Sequence, residues 1–253
     1  GGSILRWLTL MLGPVIVAQQ LMAGNRDEGV SMPRLLEEAD PVVRDIAGRL
    51  GEILALLDAA YFEKLVIDGI DANGWAFIVC ANQQRAVLQR LVEEQQDWIW
   101  SDTGPDARRG WAESQAGCFL HTPEGWSEPV TIIARRWRKE GELPDSAWHY
   151  SFLATRIEAE QLPASLKKHG YAQAIWMLYG TKQARENHYK TALRDLGLHH
   201  PPSGRLGINQ AFYAIASAAS NIAMILRYRV VTPQERSIEL WRLRERYLRI
   251  AGY

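Results

Sequence analysis

The sequence predicts an α/β fold that carries a β-rich insertion and ends in a helical segment. Three observations lead there. Two continuous apolar runs, EILALLD at 52–58 and WAFIVCAN at 75–82, alternate with helical periodicity, as strands covered on both faces do. Residues 97–148 switch to tryptophans, glycines and short alternating runs, the texture of small antiparallel strands. The stretch INQAFYAIASAASNIAMILRYR is long and amphipathic, with small residues on one side.

In chain order, Ile4 to Met11 and Val15 to Leu21 read as two strands joined by a Gly13-Pro14 turn. The run is too short and too broken to be a membrane span or signal peptide. MPRLLEEADPVVRDIAGRL, 32–50, has helical apolar spacing and predicts a helix interrupted near Asp40-Pro41, because proline removes a backbone donor. EILALLD then forms a buried strand that closes on Asp58. A helix over Tyr61 to Ile70 stops at the DANG turn, WAFIVCAN makes a second strand of the same sheet, and a polar helix spans Gln83 to Gln96. This alternation implies parallel pairing with crossover helices. In the insertion, the TPEG turn between GCFLH and EPVTIIARRWR predicts a hairpin or small antiparallel sheet. HYSFLATRI, 149–157, returns to strand, and Tyr171 to Leu198 reads as one helix. Pro233 opens a last helix. The expected divisions are 1–96 and 149–200 as the two parts of a core, 97–148 as the insertion, and 201–253 as the carboxyl-terminal helices.

Composition bounds the partners. The 253 residues carry a formal net charge of zero, so affinity for a polyanion must rest on local patches. One such patch is the tail, where eight arginines face three glutamates from Arg205 onward. Cys80 and Cys118 lie far apart without metal-ligand spacing, which predicts buried thiols in a reducing compartment.

The chemistry centres on the Tyr171–Leu198 stretch. At 3.6 residues per turn Tyr179, Lys182, Glu186 and Lys190 share a face, a carboxylate among cations. The same spacing also describes two ordinary ion pairs on a solvated helix. Asp58 has two readings as well: a strand-end carboxylate able to meet Glu186 around divalent cations, or a cap for the turn that follows. Two hard oxygen ligands suit Mg²⁺.

Four segments together resemble the DDE transposases of bacterial insertion sequences. ALLDAAYFEKLVIDGIDANGWAFIVCAN is similar to the stretch around their second acidic residue, and YGTKQARENHYKTALRDLGL to their Tyr-x-x-Arg/Lys-x-x-x-Glu signature. LMAGNRDEGVSMPRLLEEA resembles their Gly-Asn loop, and NQAFYAIASAASNIAMILR with WRLRERYLRIAGY their carboxyl-terminal helices. The resemblance implies a ribonuclease H-like core in which Asp58 and Glu186 bind catalytic Mg²⁺, with Mn²⁺ as a substitute. Tyr179, Lys182, Arg185, Lys190 and Arg194 would contact phosphates beside the cut, and Arg194 stands one step beyond the family's trailing lysine, whose place Leu193 takes.

The resemblance also implies that an insertion tryptophan, Trp126 or Trp137, stacks on a flipped base. Packing of the insertion's own small core is the competing role for both. The arginines of 135–138 and the tail would hold DNA, unless they form a solvated face with their glutamates. The expected partners are transposon-end and target DNA, with at least a dimer at synapsis, in a cytoplasmic, nucleoid-associated protein. The family's first aspartate belongs to a strand upstream of residue 4 that has no counterpart here. Asp27, in a loop, is a poor substitute, which implies strand hydrolysis and transfer in an intact relative and an inactive, amino-terminally truncated chain. The alternatives are a non-catalytic DNA-binding or assembly remnant and a metal-dependent nuclease of ribonuclease H-like fold.

Overall fold

The computed structural model describes residues 5–24, 28–47, 53–94, 100–143, 145–183, 193–236 and 238–249. In chain order the elements are β1 (Leu5–Leu12), β2 (Val15–Ala23), α1 (Glu28–Ala47), β3 (Leu54–Leu57), α2 (Lys64–Ala72), β4 (Ala76–Cys80) and α3 (Arg85–Glu94). There follow β5 (Ser101–Asp102), β6 (Trp111–His121), β7 (Val130–Lys139), β8 (His149–Thr155), α4 (Ala164–Lys167), α5 (Tyr171–Gly180), α6 (Leu206–Arg229) and α7 (Leu240–Leu243). The chain divides into two compact units, Gly1–Arg49 with Lys182–Tyr253, and Leu50–Thr181.

In the first unit β1 and β2 form the expected antiparallel hairpin, closed by Gly13 at φ 59°, a conformation glycine adopts without strain. Helices α1 and α6 both pack on β2. The side chain of Asn221 on α6 clamps the strand: its Oδ1 accepts from the Ile16 amide and its Nδ2 donates to the Ile16 carbonyl, each at 2.8 Å. Ser217 adds a bond to Gln19, which also accepts from the Trp7 indole.

The expected interruption at Asp40-Pro41 does not occur, because α1 runs unbroken through Pro33 and Pro41. Its buried stripe, Met32, Leu35, Leu36, Ala39 and Val43, continues on both sides of the exposed Pro41, so packing offsets the lost backbone bond. The last expected helix, by contrast, is broken into a 3-10 turn at Pro233–Glu235, then α7 and a π turn at Arg244–Leu248. The Ile238 carbonyl accepts from the buried Arg227 guanidinium at 2.6 Å, so a side chain takes part of the role a helical amide would have.

The second unit is built on one sheet of order β3-β4-β8-β7-β6-β5. Among the described residues only β3 and β4 pair in parallel, crossed over by α2, and from β4 onward the pairings are antiparallel. The tryptophan-rich strands therefore extend the same sheet as the parallel pair, a mixed α/β arrangement compatible with a ribonuclease H-like core. Helix α5 covers one face, burying Ala174 and Ile175 against Ile78, Ile133 and Leu153. Cys80 is half-buried and Cys118 is exposed, which corrects the expectation of two buried thiols: Cys118 falls on an outward position of β6.

Beyond the carboxyl end of β4 the sheet continues through Arg135, Arg136 and Trp137 of β7, which pair with Ser151, Tyr150 and His149. Side chains alternate between faces there. On one face Trp137 stacks on Trp111 at 4.7 Å and on His149 at 5.7 Å, and Arg135 lies 4.5 Å from the Trp176 ring centroid. On the other face Arg136 sits 4.2 Å from Trp100 and 4.5 Å from Trp148, with Arg138 4.2 Å from Trp148. Arg135 is buried and donates to Gln173 at 2.6 Å, while its Nε finds no hydrogen-bond partner among the described residues. Burial, helped by the charge of Arg109, pushes its pKa down to about 10.

Two substitutions test these contacts by chemical denaturation. Asn221→Ala removes both bonds to Ile16 and is expected to cost about 2 kcal/mol, read as a lower midpoint at unchanged slope. Arg135→Met keeps the bulk between tryptophans and removes a buried charge, so stability is expected to hold or rise by about 1 kcal/mol. A loss above about 2 kcal/mol would show that the guanidinium itself is required.

Candidate active site

Strand β3 ends at Leu57 and the next residue, Asp58, takes an extended backbone (φ −75°, ψ 169°) before a 3-10 turn at Ala59–Tyr61. Asp58 is exposed, and its side chain makes no capping bond to that turn; its backbone carbonyl accepts from the Tyr61 amide at 3.1 Å. Capping therefore does not account for the aspartate. It stands as an exposed carboxylate at the carboxyl end of a parallel strand. Among the described residues no three acidic, histidine or cysteine side chains group into a metal-binding cluster.

Tyr179, near the end of α5, donates its hydroxyl to the Leu57 carbonyl at 3.0 Å. The bond ties the first residue of the Tyr-x-x-Lys-x-x-x-Glu pattern to the peptide just before Asp58. A phosphate contact through the same O–H would require that bond to be given up. Lys182 is buried. The long helix expected over Tyr171 to Leu198 is interrupted, since α5 ends at Gly180 with Thr181 at its C-cap and helical structure resumes at Lys182. Thr181 turns its hydroxyl back to the Leu178 carbonyl at 2.8 Å, a local bond that competes with helix continuation. Arg185, Glu186, Lys190 and Asp27 lie outside the described residues.

Several of the other expected DNA contacts are engaged within the protein. Arg194 is bonded to Asp195 and to Glu239, each at 2.9 Å, and these bonds hold its pKa above the ordinary value. Trp126, in the β6–β7 loop, is half-buried with its ring 5.3 Å from that of Phe62. Trp137 lies between rings on the strands to either side of it, so both its faces are occupied. Arg136 donates to Gln115 and Arg138 to Glu113, at 2.8 and 2.7 Å. In the tail, Arg246 pairs with Glu235 and Arg249 with Glu245, each at 2.6 Å.

Sequence reasoning missed Trp100, Trp111, Trp148 and Trp176 as the rings that hold these arginines. The signal was the period-two run Arg135-Arg136-Trp137-Arg138, which sends cations to both faces of a strand.

No helix among the described residues is long and apolar enough to cross a membrane. A comparison with curated proteins finds no match. The family model described as Transposase DDE domain group 1 matches residues 11–253, a span that includes Asp58, Tyr179, Lys182 and Glu186. By this match across nearly its whole length, the chain belongs to the DDE-domain transposases of group 1.

Proposed function

We propose that this chain acts on DNA in transposition through metal-dependent phosphodiester chemistry, with Asp58 and Glu186 as metal-holding carboxylates. The observation that carries the reading is the exposed Asp58 at the end of β3, anchored through its neighbour's carbonyl to Tyr179 of the signature. Lys182 and Glu186 follow Tyr179 by three and seven residues, the spacing of one and two helical turns. Mg²⁺, or Mn²⁺ in its place, would supply charge against the phosphate oxygens and lower the pKa of a bound water. The protein's own part is to fix the carboxylates, with Tyr179 as a positioning residue. Strand hydrolysis and strand transfer are the two reactions such a site supports. The proposed partners are transposon-end and target DNA, bound by two copies of the chain.

DNA affinity then rests on cations other than those tied to glutamates or stacked between tryptophans. Arg205 and Arg229 are exposed positions of the tail that fit this role, with the Trp126 ring as a base-stacking surface.

Asp58→Asn and Glu186→Gln are each expected to weaken Mn²⁺ binding, followed by electron paramagnetic resonance, by about tenfold or more while end-DNA affinity is retained. Metal-dependent DNA cutting by the unaltered chain and by Glu186→Ala at the same rate would reject the assignment. Tyr179→Phe is expected to lower stability by about 1 kcal/mol through loss of the Leu57 bond, with little change in the salt dependence of DNA binding. A reduced salt slope at unchanged stability would instead make Tyr179 a phosphate contact.

A further inference from the structure

Helix α6 carries no charged residue from Leu206 to Leu226, yet only one side of it is buried on β2. The opposite side is exposed, with Ile208 at 49%, Ile215 at 70%, Ile222 at 59% and Ile225 at 56% of full accessibility. Together with the exposed Ala211 and Ala218, these side chains recur at alternating intervals of three and four residues, the a/d repeat of a helix that pairs with another helix. An isolated exposed isoleucine needs no explanation, but a straight uncharged seam of six such positions does.

We propose that this seam is the interface between two copies of the chain, paired as antiparallel helices. The seam is self-complementary in that direction. With a two-fold axis between Ala216 and Ser217, Ile215 meets Ala218 of the second copy, Ala211 meets Ile222, and Ile208 meets Ile225. Four of the six layers thus set a large side chain against a small one, which lets the helices approach closely, as a C2 interface requires of one patch facing itself. The same register carries Arg205 to Tyr228 of the second copy, a cation facing a ring, and keeps it away from Arg229. Tyr228 is 45% exposed and already has Arg236 over its ring at 5.6 Å within its own chain.

A seam about 30 Å long and one helix wide, about 10 Å, buries on the order of 1,000–1,200 Å² over both copies. That lies at the lower edge of specific interfaces and fits a reversible, micromolar dimer. The pairing needs neither metal nor DNA, so it stands or falls separately from the proposed chemistry.

Sedimentation equilibrium of the full chain is expected to give a dimer that Ile215→Arg weakens at least about 100-fold. Because residue 215 is exposed, that variant should keep its circular dichroism and denaturation midpoint. In a Cys80→Ser/Cys118→Ser background, the double variant Ile215→Cys/Ala218→Cys should cross-link to a dimer on mild oxidation, while Ile215→Cys alone should not. A chain that stays monomeric at roughly 100 µM, leaving the seam to another segment or protein, overturns the proposal. So does a dimer that survives Ile215→Arg, or ready cross-linking by Ile215→Cys alone, which would mean parallel pairing.

Discussion

Burial of one face of the six-stranded sheet beneath α5 is the constraint on which the candidate site depends. Ala174 and Ile175 sit against Ile78, Ile133 and Leu153, and this apolar contact sets where the end of the helix comes to rest relative to β3. Tyr179 then closes the arrangement with a hydrogen bond to the peptide before Asp58. Apolar packing is the larger source of free energy, and the Tyr179 bond fixes the helix end against β3. Asp58 follows directly as an exposed carboxylate at the strand end.

The insertion uses positive charge in an unexpected way. Its arginines are held against tryptophan faces and, in the case of Arg138, by a glutamate, so they build the far end of the sheet. A guanidinium is planar and weakly hydrated, and it can occupy such a place where a lysine ammonium could not. The consequence for function is that counting arginines overstates the surface available to phosphates. Arg194 and, in the tail, Arg246 and Arg249 likewise bridge to acidic neighbours.

The first unit follows a different logic. The β1–β2 hairpin cannot bury itself, and it is held by α1 on apolar contacts and by α6 through Asn221, Ser217 and Gln210. Polar side chains facing the hairpin let the helix remain uncharged, because they satisfy backbone and glutamine groups of the strand directly. With its inner side committed this way, the isoleucine seam on the outer side is left for a partner of matching spacing.

Read alone, the amino-acid sequence determined the elements whose signals are local. The Gly13-Pro14 hairpin, the parallel pair β3–β4 and α6 are legible because each follows from residue periodicity and turn chemistry over a few residues. The strand-end place of Asp58 is legible for the same reason. Only the tertiary structure decided what depended on distant partners. Pro41 stays helical because the buried stripe through Ala39 and Val43 continues past it. The final helix breaks where Arg227, eleven residues before Ile238, reaches its carbonyl. Tyr179 meets Leu57 across 122 residues, and no spacing rule anticipates such a contact. Periodicity records which face of an element is apolar; which polar group meets which is set by how those faces stack in three dimensions.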